Sequence, residues 1–387
     1  MMEATNHIEK TSQHTIPEGW REFSLGELGE VKMCKRVMKY QTLASGEIPF
    51  YKIGTFGGTP DAYISRDLFT DFRSRFSYPN KGDILLSAAG TIGRTVVFDG
   101  EDSYFQDSNI VWIDNKEDKV LNSLLYYCYK VMKFHTENGG IVVRLYNENL
   151  RNTTFCAPES LEEQKRIADA LTAVDKMIGA LDEAIAKKRQ IKEGLMQQLL
   201  TCKTRLPGFN EEWVELELGS ILSYEQPGPY LVQSTEYVES GTPVLTAGKT
   251  FILGYTNEKF GIYDKLPVII FDDFVTESKY VDFPFKAKSS AMKMLSVRDK
   301  GRHNVRFIYD IMQLIDFPMT DHKRYWIAEY SLLKVRVPKS LEEEDAIANS
   351  FSTIDDEIHS LESQRDKYRL IKQGMMQELL TGKTRLL

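Results

Sequence analysis

The sequence is poor in the residues from which metal and redox centres are built. Four cysteines (Cys34, Cys128, Cys156, Cys202) and six histidines are scattered over 387 residues. There is no CxxC pair and no histidine at metal-ligand spacing, so neither a zinc site nor a disulfide framework is expected. No apolar run approaches the roughly 18 residues of a membrane span. The first sixteen residues read as a polar arm without the basic-then-apolar layout of a signal peptide, which makes the cytoplasm the expected compartment. Catalytic signatures are missing as well: no GxSxG, no HExxH, no glycine-rich methyl-donor loop. The Gly-Lys-Thr at 382–384 has Gln377 where a phosphate loop needs glycine, and it closes a helical stretch instead of opening one. No catalytic residue, metal ligand or cofactor is expected on this chain.

A surplus of positive charge is also missing. The formal net charge is −7. Residues 17–157 carry 17 basic and 18 acidic residues, and residues 207–337 carry 15 and 18. Neither stretch is a polycation that would hold nucleic acid without selectivity. Phosphate contacts would have to come from local clusters or from a partner.

What the sequence does have is a duplication. Residues 161–206 align without a gap to 341–386, with 22 of 46 positions identical at an offset of 180. Upstream, Trp20, Glu22, Phe23, Leu25, Gly26 and Leu28 match Trp213, Glu215, Leu216, Leu218, Gly219 and Ile221, and Pro158 matches Pro338. Between these markers the two stretches differ strongly, and the second is 13 residues shorter. Ile167, Leu171, Val174, Ile178, Leu181 and Ile185 follow a 4-3-4-3-4 spacing, as do Ile347, Phe351, Ile354, Ile358 and Leu361 as far as they run. Such a heptad seam predicts long helices packed as a coiled coil. Ser160 and Ser340 are the expected N-caps, with Glu163 and Glu343 at the capping-box position. About 40 residues per helix give a rod of roughly 60 Å. Two seams in register within one chain favour pairing inside the chain.

The globular stretches read as α+β. In the first, residues 83–98 form two apolar strands around a glycine-rich turn, followed by a strand at 108–113. In the second, 268–283 has the same shape without the glycines, followed by 290–297. An ungapped alignment at offset 185 sets Thr276 against Thr91 and Lys279 against Arg94; at offset 180, Arg324 falls against Arg144. Basic clusters supply the candidate DNA contacts: Lys35 and Arg36; Arg73 and Arg75 among aromatics; Thr91 and Arg94 in the turn; Arg144. In the second stretch they are Lys279, Lys286, Lys288, Arg302, Arg306, Lys323 and Arg324. Such side chains set register on phosphates or read base edges. Each is equally at home on a solvated face.

The stretch Pro-x-x-Leu-Glu-Glu-Gln-Lys-Arg-Ile-Ala (158–168) ends in Gly-Leu-Met-Gln-Gln-Leu-Leu-Thr-x-Lys-Thr-Arg-Leu-Pro-Gly-Phe (194–209) and recurs near the C-terminus. It resembles the specificity subunits of type I restriction–modification enzymes, and Gly82–Arg94 looks like the hairpin of their target recognition domains. The likeness runs over about 17–387. It implies an N-terminal arm (1–16), recognition domains at 17–157 and 207–337, and helical regions at 158–206 and 338–387 that form an antiparallel spacer with pseudo-two-fold internal repetition. It further implies that each domain reads half of a split, asymmetric site in double-stranded DNA and that the helices set the gap. Two methyltransferase subunits would dock on the helical regions. Adenine methylation with S-adenosylmethionine, and ATP- and magnesium-dependent cleavage by motor-nuclease subunits, would belong to partners in a bacterial or archaeal cell. Three other readings remain open at this point. They are a specificity subunit of another restriction class, a coiled-coil adaptor for proteins, and a nuclease using Asp272, Glu277 and Lys279.

Overall fold

The computed structural model describes residues 16–134, 144–248, 250–318 and 324–387. The chain divides into two compact units, Met1–Ala180 with Gln364–Leu387, and Leu181–Ser363. The division cuts both long helices, Leu161–Leu199 and Leu341–Leu379. Each unit therefore takes a globular stretch, the start of the helix that follows it, and the end of the other helix.

In the first unit a four-stranded antiparallel sheet runs Val31–Lys32, Ile110–Ile113, Ile84–Ser87, Thr95–Val97. Its strands are apolar on both faces because both faces are covered. Ile84, Leu86, Val111 and Ile113 join a core with Leu124, Leu125 and Cys128 of the Asn122–Val131 helix and with Ile167, Leu171 and Leu379 of the long helices. Leu85, Ile110 and Trp112 join a second core under the small sheet Tyr63–Ile64, Ile48–Tyr51, Tyr104–Phe105, in which the last pair is parallel. Trp20–Ser24 pairs with Thr154–Pro158 and closes the stretch where it meets its helix.

The second unit repeats this plan. Its large sheet runs Leu222–Glu225, Met292–Val297, Val268–Asp272, Ser278–Val281; its small one runs Ile252–Thr256, Thr242–Leu245, Lys286–Ala287. Val214–Glu217 pairs with Lys334–Val337. Ile269, Phe271 and Leu295 face the helix core, which holds Ile347, Phe351 and Leu199.

Within each unit the two long helices are antiparallel. In the first, Lys372 Nζ lies 2.6 Å from Asp175; in the second, Lys192 Nζ lies 2.6 Å from Asp355, and Lys188 2.5 Å from Glu357. The seam faces inward: Ile167, Leu171, Leu181, Ile185, Ile347, Phe351 and Ile358 are buried, and Val174, Ile178, Ile354 and Leu361 half-buried. Ser160 and Ser340 cap as expected, each Oγ accepting from the N–H three residues on at 3.4 Å. The two glutamates of the expected capping boxes are used differently. Arg385 donates to Glu163 from Nε and Nη2 at 2.6 and 2.7 Å, and Arg205 donates to Glu343 at 2.7 and 2.6 Å. A buried carboxylate gains more from such a charged fork than from one backbone N–H. Arg385 holds the Glu163 carboxyl below the ordinary carboxylate range.

Candidate nucleic-acid interface

The hairpin Ile84–Ser87/Thr95–Val97 turns through Gly90 and Gly93, both at positive φ. The Phe134 ring stands 3.0 Å from where a Gly93 Cβ would sit, so the turn needs glycine on two counts. Thr91 is exposed at its tip, and its carbonyl accepts from Ser87 Oγ at 2.5 Å. Arg94 leaves the turn exposed, donating to the Phe56 carbonyl at 2.9 Å. Arg144 lies alongside, bridged to Ala89, and donates to Asn109 Oδ1 at 2.9 Å. Next to it opens a cleft of about 470 Å³, lined among others by Arg36, Lys39, Lys52, Gln106, Asn109 and Arg144. Arg36 crosses it to Asp107 at 2.8 Å. On the Arg66–Arg75 helix, Arg73 pairs with Asp102 and Arg75 with Asp71, both at 3.0 Å. Arg73 also covers the Tyr78 ring, and Lys35 the Phe76 ring, each at 5.0 Å. All of these cations are exposed except Lys52, which is half-buried. Surface ion pairs of this kind hold a side chain loosely and leave it free to exchange its partner for a phosphate.

In the second unit Lys288, Arg302 and Arg324 are exposed, and Lys323 lies outside the described residues. Two of the sequence candidates are not available. Lys286 is fully buried, its Nζ 2.6 Å from Glu258 and 2.8 Å from the Phe260 carbonyl. Arg306 is enclosed by Asp310, Asp355 and the rings of Tyr280 and Tyr309. Both cations are consumed by the fold, and a phosphate would have to displace buried partners to reach them. Lys279 is half-buried in a strand, opposite Ile270.

The strand ladders also settle which residues correspond. Tyr325 N–H donates to the Asp273 carbonyl as Leu145 N–H donates to that of Ala88, both at 2.9 Å. Arg144 and Arg324, each one residue earlier, therefore occupy one place in the plan. Arg94 and Lys279 do not. Eight residues (87–94) join the Leu86–Thr95 pair, but only six (272–277) join Phe271–Ser278. The shorter loop sets Lys279 at the place of Val96, inside the strand. Thr276, at φ +55°, replaces the glycines, and Asp272 Oδ1 accepts from the Phe274 and Val275 N–H groups. Asp273 pairs with Lys293 at 3.0 Å and accepts from Trp326 N–H. Both acids thus have structural tasks, and the described residues hold no group of three or more His, Cys, Asp or Glu suited to a metal ion. No described helix is long and apolar enough to cross a membrane.

Sequence reasoning placed Lys39 in a basic cluster with Lys35 and Arg36 but missed Gln106, Asn109 and Lys52 of the cleft. Its search for clusters of charge passed over neutral amides; a polar residue directly before the apolar strand Ile110–Ile113 was the available signal. On the helices it named only the buried seam. Ile191 and Ile371, equivalent at offset 180, are instead 43% and 39% exposed.

A family model described as type I restriction modification DNA specificity domain matches residues 17–193. A putative type I restriction enzyme specificity subunit of Haemophilus influenzae is 54% identical over 170 residues, 44% of this chain and 44% of that protein. The EcoR124I/EcoR124II specificity subunit of Escherichia coli is 50% identical over 148 residues, 37% of this chain and 36% of that one. The chain thus matches less than half the length of these two relatives. A putative MjaX specificity subunit of Methanocaldococcus jannaschii is 23% identical over 98% of this chain and 97% of its own. In fold, the chain resembles the crystal structure of the type I restriction-modification system S subunit from M. genitalium, with a TM-score of 0.68 at 15% identity, covering 93% of this chain and 96% of that one. With its duplicated α+β units and inward helix seams, the chain carries a match to the type I restriction modification DNA specificity domain at 17–193 and is similar over part of its length to type I restriction enzyme specificity subunits.

Proposed function

We propose that each globular stretch reads one half of a bipartite, asymmetric target in double-stranded DNA, and that the long helices set the gap between the halves. The observation that carries this reading is the contrast inside the duplication. The buried ion pairs Glu163–Arg385 and Glu343–Arg205 are kept, while the exposed loops of the two sheets differ in length and charge. Two fixed supports with two independent faces suit a reader of two unlike sequences. Two major-groove readers on one side of B-DNA need a separation of about one helical turn, roughly 34–36 Å. Helices of 39 residues, about 58 Å each, are long enough to set it.

Ile191 and Ile371 are matching exposed apolar positions, one on each helix, and suit two copies of one partner. We assign that partner as a methyltransferase subunit that carries S-adenosylmethionine and modifies adenine; motor-nuclease subunits would bring ATP and magnesium. The chain itself contributes no catalysis, and its acidic balance is offset by cations of the partners.

Methylome sequencing of a host expressing the chain with its methyltransferase tests this reading. One split, non-palindromic motif is expected. Inserting four residues within 161–200 should lengthen the gap and leave both half-sites intact. Absence of any split motif sinks the DNA-reading function, and an unchanged gap sinks the spacer role.

A further inference from the structure

The ladders identify a short segment at which the two units share a backbone and exchange side chains. Gln106 N–H donates to the Tyr51 carbonyl at 2.9 Å, and Lys288 N–H to the Leu245 carbonyl at 2.8 Å. Ala88 N–H donates to the Asn109 carbonyl at 2.8 Å, and Asp273 N–H to that of Ala291 at 3.2 Å. Gln106-Asp107-Ser108-Asn109 therefore stands where Lys288-Ser289-Ser290-Ala291 stands in the other unit. The segment follows one strand of the small sheet and leads into the large one, beside Arg144 in the first unit and Arg324 in the second. In the first unit Ser108 holds a left-handed backbone at φ +60°, a conformation that collects at binding sites.

The hydrogen bonds of the two amides decide what they have left to offer. Gln106 Oε1 accepts from Ile53 N–H at 2.9 Å. Asn109 Oδ1 accepts from Arg144 at 2.9 Å. A backbone N–H and a guanidinium can only donate, so these contacts fix which end of each amide is oxygen. What remains is the whole donor capacity of Gln106 Nε2 and Asn109 Nδ2, against one lone pair on each oxygen. Asp107, the acid between them, is 15% exposed and bound through Oδ2 by Arg36.

We propose that Gln106 and Asn109 read a base pair of the first half-site and select guanine there, an inference that rests on the DNA-reading function above. An amide pairs with adenine through an acceptor and a donor together, at N6 and N7. Here each oxygen already spends one lone pair on Ile53 N–H or Arg144, while among the described residues both N–H donors of each amide stay free, which favours donation. Guanine presents two acceptors side by side, N7 and O6, which match donors alone, while cytosine presents a donor to the major groove. In the second unit one ammonium at Lys288 replaces the two amides, so the two halves differ at this position.

The experiment is methylome sequencing with the full chain and its methyltransferase, comparing wild type with Gln106→Glu and Asn109→Asp. Each substitution keeps the oxygen that Ile53 or Arg144 needs and replaces the free donor with an acceptor. Methylation of the wild-type target should fall about tenfold or more. One G·C position of the first half-site should become degenerate or change, with the second half-site and the gap unchanged. A change at an A·T position overturns the donor argument. Uniformly weaker methylation of an unaltered motif overturns base reading, because a phosphate contact weakens all sequences alike. If wild type itself yields no split motif, the DNA-reading function fails first, and that outcome is distinct from the other two.

Discussion

The two units solve one packing problem with different chemistry. Where the first has Ala88 and Val111 on the helix side of its large sheet, the second has Asp273 and Lys293, each 2% exposed and paired at 3.0 Å. Where the first buries the Tyr104 hydroxyl, which accepts from Lys35 N–H at 3.0 Å, the second buries the Lys286 ammonium against Glu258. The supports did not diverge in this way. Trp20 with Glu163 and Arg385 repeats as Trp213 with Glu343 and Arg205, and the arginines lie 5.9 and 5.8 Å from their indole rings. Gln164 Oε1 accepts from Leu121 N–H, and Glu344 Oε2 from Asn304 N–H, each at the start of the next helix in its unit. Interior chemistry is exchangeable so long as each buried charge keeps its counter-charge; the contacts that join a sheet domain to its helix pair are kept.

The largest expected effect comes from breaking this rule in the second unit. Lys293→Val installs the residue of the first unit but strands the Asp273 carboxylate, and should cost about 3–5 kcal/mol in urea denaturation. Adding Asp273→Asn removes the charge while keeping an acceptor for Trp326 N–H, and should recover more than half of the loss. If the double variant is as unstable as the single one, the pair is not an exchangeable solution and the comparison fails.

Protonation separates the units with opposite signs. Burial raises the Asp310 carboxyl to about 6 even though Arg306 lies beside it. Between its unfolded value near 3.8 and about 6, the native state binds the extra proton. This group's stabilising contribution is therefore complete below the lower value and lost as pH rises through the upper one. Glu163, held below 4.5 by Arg385, contributes above that value and loses its contribution as pH falls through the depressed one. Relative to wild type, Asp310→Asn should thus be more favourable at pH 8 than at pH 4 by on the order of 2–3 kcal/mol. Glu163→Gln should show the reverse trend, with its penalty shrinking at acid pH. Parallel trends in the two variants would refute the assignment.

What was legible in the sequence was whatever obeys a local period or a fixed spacing. The seam from Ile167 to Ile185 announced the helices, and apolar runs such as Ile84–Ser87 announced the strands. Arg144 and Arg324 were matched correctly because the distance from each to its helix is conserved. Lys286 was misread because its acid, Glu258, lies 28 residues away; Arg306 had a local sign in Asp310, one helical turn on, while its second acid, Asp355, lies 49 residues away. Arg94 and Lys279 were mismatched because two residues had left the hairpin loop, which an ungapped alignment does not detect. Gln106 and Asn109 became visible only when the ladders showed which backbone positions correspond.

The smallest effect tests whether the helix ends are equivalent supports. Gly194 and Gly374 sit at matching points of the two helices, exposed, and a Cβ at either would meet nothing within 4 Å. Neither has a positive φ or a neighbour that demands glycine. On helix propensity alone, Gly194→Ala and Gly374→Ala should each stabilise by about 0.5–1 kcal/mol, seen as matching rises in Tm of the isolated chain. If the rises match, the two helices behave as one element used twice. If only one variant gains, the helix ends are not equivalent despite their sequence identity. If both gain in isolation but lose methylation in the complex, the missing side chain is a feature of the surface: a partner approaches the backbone there, beside Ile191 and Ile371, more closely than a methyl group allows.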